Sequence, residues 1–74
     1  MPGILGVEDD ENFNRGITVS LKKSGYEVCS AESVKKAKRL ASDNNVDVTI
    51  CDVNLPDGNG LEFVRWMRCN YNTY

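Results

Sequence analysis

Two short apolar runs in this chain each stop on carboxylates, and that pairing constrains the fold more than any other feature. Ile4, Leu5 and Val7 run straight into Glu8, Asp9 and Asp10. Val46, Val48 and Ile50 alternate with less apolar residues up to Asp52, and the chain then turns through Pro56, Gly58 and Gly60. Short apolar runs bounded by turn residues read as buried strands. In an open parallel sheet, functional groups gather at the carboxyl ends of strands, where neighbouring connections part to opposite faces. With the two strands side by side, Glu8, Asp9 and Asp52 share one small crevice. Carboxylates crowded in this way repel one another unless a cation lies among them. A hard divalent ion, Mg²⁺ or Mn²⁺, suits such a site because it takes oxygen ligands.

The segments between these strands read as a βα alternation. Gly3–Val7 is a buried strand. Asp10 or Asn12 caps a first helix reaching about Ser24, with Phe13, Ile17 and Leu21 on its inner face. Gly25 is the natural stop for that helix. Tyr26–Ala31 is the second strand, with Val28 and Cys29 buried. Ser33 caps a second helix to about Asp43, in which Val34, Ala37, Leu40 and Ala41 share a face opposite Lys35, Lys36, Lys38 and Arg39. That basic set reads as a solvated helix face. Asn44-Asn45 is a turn and Val46–Cys51 the third strand. A third helix follows the Pro56–Gly60 loop, with Leu61, Phe63, Val64 and Met67 available for burial and Trp66 half-buried. Cys69–Tyr74 has no clear period. The order β-α-β-α-β-α implies a parallel sheet with right-handed crossovers and helices on both faces.

Seventy-four residues make one small domain, which buries only about 60% of its unfolded surface and is therefore marginally stable. A net charge of −2 gives no reason to expect nucleic-acid binding by this chain. No apolar run reaches membrane-spanning length, and Met1-Pro2-Gly3 lacks the pattern of a signal peptide, so a cytoplasmic location is expected. Cys29, Cys51 and Cys69 form no CxxC pair, and there is no His, which argues against a zinc site or a disulfide framework. They read as reduced thiols.

Taken together, Glu8-Asp9, Asp52, Leu55-Pro56 and Asn59-Gly60 resemble the receiver domain of two-component response regulators. Each motif is weak alone; their order, with Asp9 and Asp52 43 residues apart in a βαβαβ pattern, makes the joint signal specific. The resemblance implies a flavodoxin-like fold with strand order 2-1-3, covering residues 1–74 as the N-terminal part of a receiver, without an output domain. It implies phosphoryl transfer from a histidine kinase or phosphotransfer protein onto Asp52, with Mg²⁺ or Mn²⁺ bound. Carried over by position, Asp52 is the phosphoacceptor and a metal ligand, Asp9 a direct ligand and Glu8 the holder of a coordinated water. Asn54 offers its backbone carbonyl, while Leu55, Pro56, Asn59 and Gly60 form the active-site turn. The chain is then a signalling module and not an enzyme.

A complete receiver carries two further strands, one ending in a Ser or Thr that bonds the phosphoryl oxygen and one in a Lys that neutralises it. Nothing in these 74 residues substitutes for them, so phosphoryl transfer is expected to be impaired. The resemblance also places the third strand inside the sheet; here it is expected to be an exposed edge through which the chain forms homo-oligomers. A receiver scaffold kept as a non-signalling interaction or oligomerisation module is the alternative. A haloacid-dehalogenase-type phosphatase fits poorly, because that family has a second Asp where this chain has Asn54. The Glu8-Asp9-Asp10-Glu11 run leans toward receivers joined to a winged-helix DNA-binding domain.

Overall fold

The computed structural model describes residues 3–71. Its order is β1 (Gly3–Val7), α1 (Glu11–Lys23), β2 (Glu27–Ala31), α2 (Val34–Asp43), β3 (Val48–Cys51), β4 (Asn54–Leu55), β5 (Gly58–Asn59) and α3 (Gly60–Asn70). The first three strands form a parallel sheet in the order β2-β1-β3, as expected. β1 lies in the middle because all five of its residues are apolar or glycine and all are buried. A strand covered on both faces needs that composition.

Local chemistry sets the helix ends. Asp10, not Asn12, caps α1: its carboxylate accepts from the Phe13 amide at 3.1 Å. At the other end Gly25 sits at φ 95°, which L side chains rarely adopt. The Gly25 amide donates to the Lys22 carbonyl at 3.0 Å and the Tyr26 amide to the Leu21 carbonyl at 3.2 Å, closing a Schellman motif. Ser33 caps α2 by accepting from the Lys36 amide at 3.2 Å. Asn59 caps α3 by accepting from the Leu61 amide at 2.7 Å.

In-register parallel neighbours point the same way, so Leu5, Val7, Thr49 and Cys51 face one side of the sheet while Ile4, Gly6, Val48 and Ile50 face the other. The first side carries the core. Leu5, Val7, Ala31, Ala37, Ala41, Phe63 and Met67 pack there under α2 and α3. Trp66, half-buried as expected, stacks on Phe63 with centroids 5.8 Å apart and meets Tyr71 edge-on at 5.7 Å. Lys38 Nζ sits 5.1 Å from the Trp66 ring centroid, so one of the basic residues of α2 bridges to α3 instead of facing only water.

The other side carries α1 alone, and no residue of that helix is buried. Phe13, expected on the inner face, is 60% exposed, and Ile50 is 42% exposed. Together with Gly16, Ile17 and Leu21 they line an open groove of about 610 Å³. Leu61, expected to be available for burial, is 61% exposed on α3. Val28 and Cys29 are half-buried, where full burial was expected.

Further features differ from expectation. β2 starts at Glu27, where Tyr26 was expected, because the Tyr26 amide is taken up by the end of α1. β3 starts at Val48, because Asp47 leaves the strand line to clamp the start of β1: its amide donates to the Gly3 carbonyl at 2.8 Å and its carboxylate accepts from the Gly3 amide at 2.8 Å. The loop after Asp52 contains the two-residue strands β4 and β5, paired antiparallel across Pro56-Asp57. Finally, α3 continues through Cys69 and Asn70 and is capped by Tyr71, whose amide donates to the Met67 carbonyl at 2.7 Å; residues 72–74, the rest of the stretch expected to lack a period, lie outside the described residues, as do Met1 and Pro2.

Candidate functional site: an acidic crevice at the carboxyl edge of the sheet

The strand order itself locates the site. The connection leaving β1 passes to α1 on one face, and the connection leaving β3 passes to α3 on the other. A crevice opens at such a parting, between the carboxyl ends of the two strands. The parallel ladder extends one bond beyond the strands. The Glu8 amide donates to the Ala31 carbonyl and the Asp52 amide to the Val7 carbonyl, both at 2.9 Å. Both acids are therefore held by backbone pairing at the lip of the sheet.

Glu8, Asp9 and Asp52, the three acids singled out in the sequence, do converge. One carboxylate oxygen from each lies within 4.8 Å of the others, with Glu8 and Asp52 half-buried and Asp9 exposed. Opposite ligands of an octahedral Mg²⁺ are separated by about 4.2 Å, so these oxygens fit a single hard cation with small side-chain adjustments. The donor set is all oxygen, which suits Mg²⁺ or Mn²⁺ over softer metals. Among the described residues, the Asp52 carboxylate has no ion pair; the sole salt bridge there is the exposed Glu32–Lys36 pair at 3.3 Å.

Asp10 is not part of this cluster. Besides capping α1, its amide donates to Glu8 Oε1 at 3.0 Å, which orients that carboxylate. Asn54 and Asn59 pair with each other as the outer residues of the β4–β5 hairpin, and Leu55 pairs with Gly58 while packing half-buried on the core. Gly60 opens α3 in direct contact with the Asp52 carbonyl, where a Cβ would collide with that oxygen. Its amide donates to the Val53 carbonyl at 2.7 Å, closing the loop back on itself. Only glycine permits this approach, which keeps the start of α3 against the backbone of Asp52.

Two supporting residues escaped the sequence reading. Asn14 on α1 donates from Nδ2 to the Glu8 carbonyl at 2.9 Å and to the Ala31 carbonyl at 3.3 Å, and its Oδ1 accepts from Thr18 at 3.3 Å. It thus ties the ends of β1 and β2 beneath the crevice. Asp57 accepts from the Val34 and Lys35 amides at the start of α2, at 2.8 and 3.0 Å. These two bonds, Lys35 first, hold its carboxyl below the ordinary value. A Pro-Asp-Gly turn is readable in sequence, but its helix partner 23 residues away is not.

Cys51 is placed beside the site without being aimed into it. Its thiol donates to the Asp52 carbonyl at 3.3 Å and lies 3.8 Å from the Gly60 carbonyl. Burial, then the charges of Asp52 and Glu8, push its pKa up to about 11, so it stays a neutral thiol near pH 7.

Comparison with known proteins agrees with this geometry. Residues 4–74 match the response regulator receiver domain family. The KDP operon transcriptional regulatory protein KdpE of Escherichia coli K12 is 35% identical over 68 residues, covering 92% of this chain and 30% of that protein. The non-phosphorylated receiver domain of HemR from Leptospira biflexa superimposes with a TM-score of 0.90 at 32% identity, covering 97% of this chain and 58% of that one. TrrA from Thermotoga maritima in complex with Mg²⁺ and BeF gives 0.89 at 30% identity, over 97% of this chain and 63% of that one. The same protein in complex with the histidine kinase ThkA gives 0.88 at 30% identity, over 97% and 62%. This chain belongs to the receiver domain family of two-component response regulators, with the flavodoxin-like fold. It spans about a third of the KdpE relative and about three fifths of the receiver structures it matches.

Proposed function

We propose that the chain receives a phosphoryl group on Asp52 from the phosphohistidine of a histidine kinase or phosphotransfer protein. The observation that carries this reading is the convergence of Glu8, Asp9 and Asp52 within 4.8 Å at the strand edge. An Asp52 carboxylate oxygen attacks phosphorus, an O–P bond forms, and the P–N bond to the donor imidazole breaks with its electron pair returning to the ring. Asp9 and Asp52 would hold Mg²⁺ or Mn²⁺ directly, Glu8 through a water, and Asn54 through its backbone carbonyl. The metal would offset repulsion between the carboxylate and the phosphoryl oxygens. Leu55, Pro56, Asn59 and Gly60 form the turn that keeps this edge in place. The structure of TrrA with a histidine kinase supports the class of donor.

Phosphoryl transfer depends on positioning and charge neutralisation. The Asp52 carboxylate lacks a cationic side-chain partner among the described residues, so acceptance by this chain alone is slow. The test is labelling with a small phosphodonor in Mg²⁺. Slow incorporation is expected, and Asp52→Asn abolishes it. Labelling that persists in Asp52→Asn would remove Asp52 from the role. Titration of Mg²⁺ against the amide resonances of Asp9 and Asp52 tests the cation site separately, and flat resonances at tens of millimolar, about ten times a weak site's Kd, would remove it.

The open apolar groove favours a further proposal, that the chain self-associates. Among the described residues β3 pairs only with β1, leaving its outer edge free beside exposed Ile50 and Phe13. The exposed apolar surface centres on α1 and Ile50, whereas Val46 and Val48 are half-buried. A second copy joining edge to edge would satisfy those backbone groups and cover the groove.

A further inference from the structure

The loop following Asp52 is tied to a helix that takes no part in the acidic crevice. Asp57, at the tip of the β4–β5 hairpin, spans the first two amides of α2 with both carboxylate oxygens, Oδ1 to Val34 at 2.8 Å and Oδ2 to Lys35 at 3.0 Å. The third amide, Lys36, is already satisfied by Ser33. The helix thus draws its caps from two sources, its own N-cap and a residue more than twenty positions away. Next to Asp57, a Cβ on Gly58 would come within 3.2 Å of Val34 Cγ2, so the hairpin rests closely against the same turn of helix. On the other side, Asn54 pairs with Asn59, and Gly60 abuts the Asp52 carbonyl. A continuous series of contacts therefore runs from α2 through Asp57 and the hairpin to the backbone of Asp52.

We propose that Asp57 is a positioning residue: by clamping the hairpin tip to the first turn of α2, it fixes where Asn54, Asn59 and Gly60 stand beside Asp52. The amides it bonds are exposed, so water can replace the carboxylate there without abandoning the helix. What water cannot replace is the mechanical link, because two bonds from one rigid carboxylate fix both the position and the orientation of the turn. The consequence for the cation rests on the reading under Proposed function: with the clamp gone, the Asn54 carbonyl is held less firmly and affinity falls. Outer-shell residues of metal sites commonly change affinity by about tenfold or more, and an exposed clamp belongs at the low end of that range.

Three variants of the 74-residue chain decide the matter: Asp57→Ala, Asp57→Asn and Ser33→Ala. The amide resonances of Asn54, Asn59 and Gly60 are followed without metal, Mg²⁺ is then titrated, and thermal melting is recorded. Asp57→Ala should shift the three hairpin resonances and weaken Mg²⁺ binding by roughly tenfold. Asp57→Asn, which keeps one acceptor oxygen in place, should recover part of both effects and serves in case the alanine variant fails to fold. Ser33→Ala removes a cap from the same helix end without touching the hairpin, and should lower the melting temperature while leaving hairpin shifts and Mg²⁺ affinity unchanged. Unmoved hairpin resonances in Asp57→Ala would overturn the proposal, as would Ser33→Ala reproducing the loss of affinity. Failure of the unaltered chain to bind Mg²⁺ would instead overturn the cation reading, and the metal-free resonances would still decide the role of Asp57.

Discussion

The two faces of the sheet differ in how fully they are packed. Under α2 and α3, Leu5 and Phe63 are 0% and 1% exposed, and aromatic contacts carry the packing on to Tyr71. Under α1, the same sheet offers Ile50 and Gly6 to a helix with no buried residue. Both faces follow the same amphipathic rule, so the difference lies in what is available to cover them. The acidic crevice sits where the faces meet, and its backbone supports come from both: Gly60 and Asp57 from the packed side, Asn14 from the open one. Site geometry is therefore held by hydrogen bonds and close contacts, even where one flank has little apolar packing.

The largest expected effect contrasts a core ring with an exposed one. Phe63→Ala removes a fully buried side chain and should cost about 3–5 kcal/mol. A small domain has only about 5–15 kcal/mol in all, so a marginal one would lose most of its helical circular dichroism at 25 °C. Phe13→Ala, on the open face, should cost under about 1 kcal/mol. Equal losses in urea melts of the two variants would show that α1 is buried in solution and that the faces do not differ as described.

A smaller effect sharpens what covers the open face. If two copies join through the β3 edge and the α1 groove, Phe13→Asp should weaken the dimer by about tenfold, since burying the exposed part of that ring contributes on the order of 1–2 kcal/mol. Sedimentation of the pure chain at micromolar concentration reads this directly. A monomer with a cooperative unfolding transition, before any substitution, would end the self-association reading.

The same contrast explains what could be read from the sequence. Helix ends were legible where caps are local: Ser33 fixes α2, Gly25 stops α1, and Asp10 was one of two candidates. The acids of the site were legible because apolar runs ending in carboxylate fix both strand and edge. Phe13, Ile17 and Leu21 were correctly grouped on one helix face, but periodicity says which residues share a face and nothing about whether a partner covers it. Leu61 was misplaced for the same reason. The late start of β3 at Val48 and the roles of Asn14 and Asp57 all depend on partners far along the chain. Local propensity carries no record of those partners.

The last contrast concerns Cys51, which points to the packed side while lying next to the acids. Its thiolate is opposed first by burial and then by the charges of Asp52 and Glu8, giving a pKa of about 11. An unfolded cysteine titrates near about 8.5. The folded state thus binds the proton more tightly, and the stability this contributes is fully present below about pH 8.5 and drains away as pH rises toward 11. Urea midpoints measured from pH 8 to 10.5 should therefore decline, and Cys51→Ala should flatten that decline while Cys69→Ser, at an exposed position, leaves it unchanged. Reactivity gives an independent reading. At pH 8 Cys51 is far less often a thiolate than an ordinary exposed thiol is. Iodoacetamide should therefore modify exposed Cys69 well before Cys51 under native conditions, and mass spectrometry of the digested chain orders the two. Equal rates would mean that Cys51 is neither buried nor held against the Asp52 carbonyl, and that the contact between Gly60 and this strand end is looser than described.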